Sequence, residues 1–352
     1  MERSAIDRIA EKSVVASFTS IGPRLRRRLF GWRPLERYTL DGRVVVLTGA
    51  TSGIGRAAAD IIAALGATLV IVGRDAEKST ALVERLRHES GNGSIEAVIA
   101  DLGRLDDVRA VAETLAERHP RIDVLAHNAG ALFPRRRRAG DGTDLAVELM
   151  VAAPFLLTGL LLPRLRGGAH SPADRPSPGR VLTMSSGGMY TEPLTVEGLE
   201  MEEADYAGAA QYARAKRAQV VLNELWAARV PATDIVFHAL HPGWVDTPGM
   251  TEALPTFSRL LAALGLSRTA REGADTLVWL AADDRALGSS GRFWLDREPR
   301  AVHRMARTRA SDTPRRREAL WHWCEDHTGW SFEGGATEEA GVVGGSPKPS
   351  PG

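Results

Sequence analysis

A short apolar run, Arg43-Val44-Val45-Val46-Leu47, leads into Thr48-Gly49-Ala50-Thr51-Ser52-Gly53-Ile54-Gly55 and then into an alanine-rich run, Arg56 to Leu65. A continuously apolar run of this length suits a strand buried on both faces. The alanine-rich run reads as a helix. Strand, glycine turn and helix start together form an anion seat, because backbone N–H groups and the positive helix end face one point. Glycine permits both the sharp turn and a close approach of ligand to backbone. The spacing is Gly-x3-Gly-x-Gly, not the Gly-x-Gly-x2-Gly of the usual dinucleotide fingerprint. A purely structural turn would look the same, so the rest of the chain decides.

The alternation continues. Strands are expected at 44–47, 68–72, 95–100, 124–127, 180–184, 235–240 and 292–295, with helices at 56–65, 76–88, 105–118, 145–165, 206–228 and 269–281. This predicts an α/β fold, a doubly wound parallel sheet of about seven strands with helices on both faces. The predicted organisation is a basic N-terminal extension (1–39), a single domain (40–330) and a disordered Gly/Pro/Ser-rich tail (331–352). The Gly/Pro/Ser-rich stretch 167–178 reads as an exposed excursion. The acid-rich stretch 187–210 follows the fifth strand, and ligands bind beyond the carboxyl ends of such strands. With the segment 251–266, which carries Phe257, Leu260, Leu261 and Leu264, it is expected to form an apolar substrate lid.

A net charge of +1 gives no bulk field for nucleic acid. One cysteine, Cys324, excludes an intramolecular disulfide, and no Cys/His cluster has zinc spacing, so no metal site is expected. A reducing cytoplasm fits. Val151 to Leu162 is too short to span a bilayer and reads as a core helix. Residues 1–40 carry nine Arg/Lys against four acids, with Ile6, Ile9, Val14, Phe18 and Ile21 at helix-like spacing. Two readings follow: a weak membrane-surface contact through residues 1–30, or a helix packed on the domain and followed by a solvated basic turn. Gly22-Pro23 interrupts the amphipathic pattern and favours the second. Arg135 to Arg138 reads as a solvated charge run rather than a seat for an anionic substrate.

Tyr212-Ala213-Arg214-Ala215-Lys216 puts a phenol and an ammonium four residues apart on one helix face. An adjacent cation is expected to lower the tyrosine pKa, so that Tyr212 can exchange a proton with an alcohol or ketone oxygen. Ser185-Ser186, at the end of the fifth strand, offers a hydroxyl to the same oxygen. Together, Thr48-Gly-x3-Gly-x-Gly55, Asn128-Ala129-Gly130, Ser186, Tyr212-x3-Lys216 and His241-Pro242-Gly243 with Thr247 resemble the motif set of the short-chain dehydrogenase/reductases, which have a Rossmann-like fold. Within that family, stretches such as Val181 to Met189 and Tyr212 to Leu222 resemble the orphan dehydrogenase/reductase member 12 group.

The resemblance implies roles. Ser186, Tyr212 and Lys216 would be catalytic, with Lys216 also holding the ribose hydroxyls. Thr48, Gly49, Ser52, Gly53, Ile54 and Gly55 would seat the cofactor. Asp101 would bond the adenine, beside Leu102. Asn128, Ala129 and Gly130 would line the cofactor, as would Pro242, Gly243, Val245 and Thr247. His127 replaces a first Asn at a tolerant position. The resemblance also implies a homo-oligomer.

NAD-selective sites place a carboxylate at the end of the second strand. Here Gly73 removes it and Arg74 can pair with a 2′-phosphate, so NADP(H) is favoured over NAD(H), with Asp75 as the competing carboxylate. The family's relay Asn is replaced by Met150, whose thioether is a weak acceptor and no donor. Pro154, close by, suggests a kink. The expected function is NADP(H)-dependent interconversion of an alcohol and a carbonyl on a lipophilic small molecule. The alternative is a cofactor-binding regulatory or scaffold protein with weak turnover.

Overall fold

The computed structural model describes residues 2–166, 177–246 and 255–332. Eight strands, β1 (Val44–Thr48), β2 (Thr68–Gly73), β3 (Ile95–Ile99), β4 (Val124–His127), β5 (Gly179–Met184), β6 (Ile235–Leu240), β7 (Arg292–Leu295) and β8 (Glu298–Arg300), form one sheet. The order is β3-β2-β1-β4-β5-β6-β7-β8. The first seven pair in parallel, and β8 closes the edge antiparallel to β7. The fold is therefore Rossmann-like, with one strand more than expected. Strand order reverses between β1 and β4, which opens the ligand crevice at their carboxyl ends.

Each face buries its own core. Ile61, Ile62, Leu82, Leu86, Leu277 and Leu280 come from the helices Gly53–Ala64, Ala76–Ser90 and Ala270–Ala282 and cover one face. The helices Leu105–Arg118, Leu145–Leu165, Gly208–Arg229 and Pro314–Thr328 cover the other, through Val111, Phe155, Val221 and Trp321. The Leu145–Leu165 helix is long and apolar enough to cross a bilayer, but 78% of its most apolar stretch is buried inside the fold, as a core helix requires. Its first turns widen into a π-turn over Glu148–Ala152, where the Ala153 N–H reaches five residues back to the Glu148 carbonyl. Pro154, which has no N–H to give Met150, accounts for that widening and takes the form of the expected kink.

The C-terminal helices Ala306–Ser311 and Pro314–Thr328, like β8, have no counterpart in the sequence reading. The turn between β7 and β8 is Asp296-Arg297, both with positive φ (54° and 59°). Two such residues make the tight hairpin that usually takes Asn-Gly. Both side chains are needed elsewhere. Arg297 grips Asp275 through two bonds of 2.7 Å, and Asp296 pairs with Arg26 and Arg268.

The first thirty residues form three helices, Glu2–Lys12, Val14–Phe18 and Ile21–Phe30. The expected solvated basic turn is instead helix, and Arg26 within it is fully buried. Its guanidinium reaches Asp7 Oδ1 (2.7 Å), Glu11 Oε2 (2.8 Å) and Asp296 Oδ2 (2.5 Å). Arg24, Arg27 and Arg28 do face solvent. Of the expected excursion at 167–178 and tail at 331–352, residues 167–176 and 333–352 lie outside the described residues.

Candidate active site

The carboxyl end of β1 runs into the glycine turn. Gly49 (φ +70°) and Gly53 (φ +52°) occupy left-handed backbone. A Cβ on Gly49 would stand 2.7 Å from Ala129 Cα, and one on Gly55 would stand 2.1 Å from the Gly49 carbonyl. These positions therefore require glycine. Ser52 is the N-cap of the Gly53–Ala64 helix but makes no side-chain cap bond, so first-turn N–H groups stay free for an anion. Asn128 braces the turn. Its Nδ2 donates to the carbonyls of Thr48 (3.1 Å) and Gly49 (3.0 Å), while Thr48 Oγ1 accepts from the N–H groups of Asn128 and Ala129. The turn and the end of β4 thus form one rigid unit, with Gly130 beside it.

At the end of β2, Arg74 is exposed and makes no ion pair among the described residues. Asp75 is committed elsewhere. It caps the Ala76–Ser90 helix through the Lys78 N–H (3.0 Å), and its carboxylate is held below its usual pKa chiefly by that bond. A Cβ at Gly73 would press on Ser79 Oγ at 2.6 Å. That hydroxyl is buried and has no hydrogen-bond partner among the described residues. Asp101 is exposed at the end of β3 and turns one oxygen to the Gly103 N–H, ahead of buried Leu102.

Ser186, at the end of β5, accepts from the Gly188 N–H (3.1 Å) and lies close enough to the Tyr212 hydroxyl to lower its pKa. The neighbouring Ser185 is structural, donating to the Lys216 carbonyl at 2.9 Å. Lys216 is buried, with Nζ 2.7 Å from the Met184 carbonyl and 5.4 Å from the centroid of the Tyr212 ring. Burial lowers the Lys216 pKa to about 7. The Tyr212 pKa is raised by burial, with Ser186 opposing. This corrects the sequence expectation of a lowered tyrosine pKa: Lys216 is itself driven toward neutrality and gives the phenol no full cation beside it. Met150 is buried in the π-turn, and it and Lys216 Nζ converge on Gly130, each 3.2 Å from where a Cβ would sit.

The loop after β6 is fixed from an unexpected side. Gly243 (φ +79°) leaves no room for a Cβ, which would meet Arg268 Nε at 2.2 Å. Buried Arg268 donates to the carbonyls of Pro242 (3.1 Å), Phe18 (3.0 Å) and Ser17 (2.6 Å) and to Asp296 (2.6 Å). The Phe18 ring packs edge-on to His241 (4.5 Å) and Trp244 (5.7 Å) and lies against Gly187, next to Ser186. The roles of Phe18, Arg268 and Asp296 at the site were missed from sequence, because their partners lie up to 270 residues away. Val245 is buried and packs with Ile54 around Gly273, whereas Thr247 lies outside the described residues.

The two lid segments differ. The 187–210 loop is anchored: Leu194 and Leu199 enter the core, and Gln211 bonds the backbone of Leu199 and Met201. In the helix Pro255–Ala263 and the turn after it, Leu261 is buried while Leu260 and Leu264 are exposed. The Phe257 side chain and residues 251–254 fall outside the description. Of the arginine run, Arg136 is paired with Glu200 and Asp144, and Arg137 stacks on Phe133. The expected solvated run is thus partly built into the fold.

The model of the short chain dehydrogenase family matches residues 43–256. The human protein Dehydrogenase/reductase SDR family member 12 is 38% identical over 283 residues, 80% of this chain and 84% of that one. Retinol dehydrogenase 14 of Mus musculus is 31% identical, over 78% of this chain and 83% of its own. Among solved structures, the Pseudomonas aeruginosa RhlG/NADP active-site complex superposes with a TM-score of 0.58 at 25% identity, covering 74% of this chain and 96% of that one. With the glycine turn, the Ser–Tyr–Lys set and these relatives in agreement, the chain belongs to the short-chain dehydrogenase/reductase family of oxidoreductases.

Proposed function

We propose that this oxidoreductase interconverts an alcohol and a carbonyl with NADP(H), on a lipophilic small molecule. The observation that carries the reading is the meeting of Ser186, Tyr212 and Lys216 beside an uncapped, glycine-lined helix start. The residues present fit the cofactor: the glycine cradle excludes side chains and first-turn N–H groups are free. Gly49 to Gly55 would take the pyrophosphate, Asp101 the adenine and Lys216 the ribose. When bound, the nicotinamide supplies or accepts the hydride. Tyr212, kept protonated at neutral pH by burial, gives its proton to the substrate oxygen in the reductive direction. Ser186 orients that oxygen by hydrogen bonding.

Preference for NADP(H) is supported by free Arg74 and by Asp75, whose carboxylate is spent on a helix cap. The RhlG complex contains NADP. A lipophilic substrate is supported by exposed Leu260 and Leu264 and by the name of the retinol dehydrogenase relative. We also propose a cytoplasmic homo-oligomer. A weak membrane-surface contact of residues 1–30 is supported by exposed Ile6, Ile9, Val15 and Ile21 alongside Arg24, Arg27 and Arg28. The second reading, a cofactor-binding regulator with weak turnover, rests on Met150.

The test is NADPH and NADH consumption across retinoid, steroid and small polar carbonyls, with wild type, Tyr212→Phe and Arg74→Ala. Turnover lost in Tyr212→Phe, and NADPH preference lost in Arg74→Ala, are expected. A Tyr212→Phe enzyme as fast as wild type removes the catalytic assignment. Cofactor binding without turnover on any carbonyl favours the regulator.

A further inference from the structure

We propose that Gln219 and Asn223 hold one buried water behind the catalytic helix, and that Met150 is the partition between that water and Lys216. The water site stands on geometry alone; the part given to Met150 rests on the proposed catalytic role of Lys216. A cavity of about 20 Å³ lies between the sheet and the helices Leu145–Leu165 and Gly208–Arg229. One water needs roughly 10–15 Å³ of such space and two to four polar partners. The polar lining comes from His127, Thr158, Thr183, Gln219 and Asn223.

His127 Nε2 and Thr158 Oγ1 satisfy each other at 2.8 Å. The two amides have no such arrangement. Neither end of the Gln219 side chain, nor Asn223 Nδ2, has a protein partner among the described residues, although the residues are only 3% and 4% exposed. Buried amides are rarely left unmet in folded proteins. Two amides on one cavity of this size specify a small neutral ligand with both donor and acceptor capacity. No charged side chain lines the cavity, and burial keeps His127 neutral, with its pKa pushed to about 3, so an ion does not suit it.

The chamber sits close to the chemistry. Gln219 and Asn223 lie three and seven residues beyond Lys216, along one face of one helix. Met150 lines the chamber and also shares the space over Gly130 with Lys216 Nζ. It occupies the position where the family resemblance expects a relay Asn. A thioether offers no donor and only a weak acceptor. The water is thus held beyond Met150, out of hydrogen-bonding continuity with Lys216.

Crystallography, xenon binding, magnetic relaxation and kinetics test this. A high-resolution crystal structure of the wild type is expected to show one ordered water bonded to Gln219 and Asn223. No density there, or xenon entering the cavity under pressure, overturns the site, since dry cavities take xenon. Magnetic relaxation dispersion is expected to count one long-lived internal water fewer in Gln219→Met/Asn223→Leu, and an unchanged count overturns the site. If that double variant does not fold, the wild-type crystal and xenon results decide alone. For the partition, crystals of Met150→Asn are expected to show the water bonded to the new amide, with carbonyl reduction severalfold faster. The gain is expected to vanish when Gln219→Met is added. An equal gain in both backgrounds, or no contact between water and amide, overturns the role of Met150. The density readouts need no turnover, so failure of the oxidoreductase reading is seen separately.

Discussion

The glycine turn and the N-terminal strap both border the catalytic residues, and they are built by opposite means. The turn works by leaving side chains out. Gly49, Gly53 and Gly55 let backbone lie against backbone, and the helix start stays uncapped. The strap works by putting charges in. Arg26 and Arg268, both essentially without solvent contact, share the single carboxylate of Asp296 and tie Ser17 and Phe18 to the Pro242-Gly243 loop. The turn is a local construction whose geometry follows from a few consecutive residues. The strap is a non-local one, in which each charge is tolerable only while its distant partners are in place.

The strongest test of this contrast removes the shared carboxylate. Asp296→Leu leaves buried Arg268 with backbone carbonyls alone and takes one of three carboxylates from buried Arg26, and is expected to cost about 3–5 kcal/mol in urea unfolding. A loss below about 1 kcal/mol would mean that packing, not charge, holds the strap. Gly55→Ala drives a Cβ into the Gly49 carbonyl and the Asn128 amide. It is expected to cost about 1–3 kcal/mol and to abolish NADPH binding in calorimetry. Retained affinity would show that the turn tolerates side chains and weaken the contrast.

Smaller effects come from the histidines. His127 is buried and neutral, with its pKa lowered from 6.5 to about 3. The unfolded chain takes up that proton first, so stability present above pH 6.5 is lost as pH falls toward 3. At about pH 5 the loss is about 2 kcal/mol, and His127→Asn should flatten the unfolding curve between pH 6.5 and 5. His238 and His241 act in the same direction. His327 is opposite in sign. Its bond to Glu148 (2.7 Å) raises its pKa above 6.5. Its contribution is present below pH 6.5 and fades as pH climbs through the raised value. His327→Gln should cost less than about 1 kcal/mol, detectable at about pH 6 but not at about pH 9.

The same contrast explains what could be read in advance. All of the first seven strands and every helix between β1 and β7 that carries the site show in apolar runs and helical spacing, because both faces of a parallel sheet must be buried. The glycine turn was legible because only glycine suits such backbone. Asp75 as a cap, Asn128 as a brace and the π-turn that carries Met150 were not, since each depends on where neighbouring carbonyls and N–H groups fall in space. Arg26 was least legible of all. In sequence it is one of a basic cluster, and nothing nearby distinguishes it from exposed Arg27 and Arg28. Only Asp7, Glu11 and Asp296, brought together by the fold, make it a core residue.

The Asp296 hub also bears on the order of assembly. A ribosome delivers residues 2–30 long before Asp296, Arg300 and Arg304, which bind Arg26, Asp7 and Glu11. An early segment is therefore completed only by one made some 270 residues later. Until β7 and β8 emerge, the strap has no socket, the Pro242-Gly243 loop has no clamp, and a nascent chain that already holds Ser186, Tyr212 and Lys216 has its catalytic residues without one wall of their site.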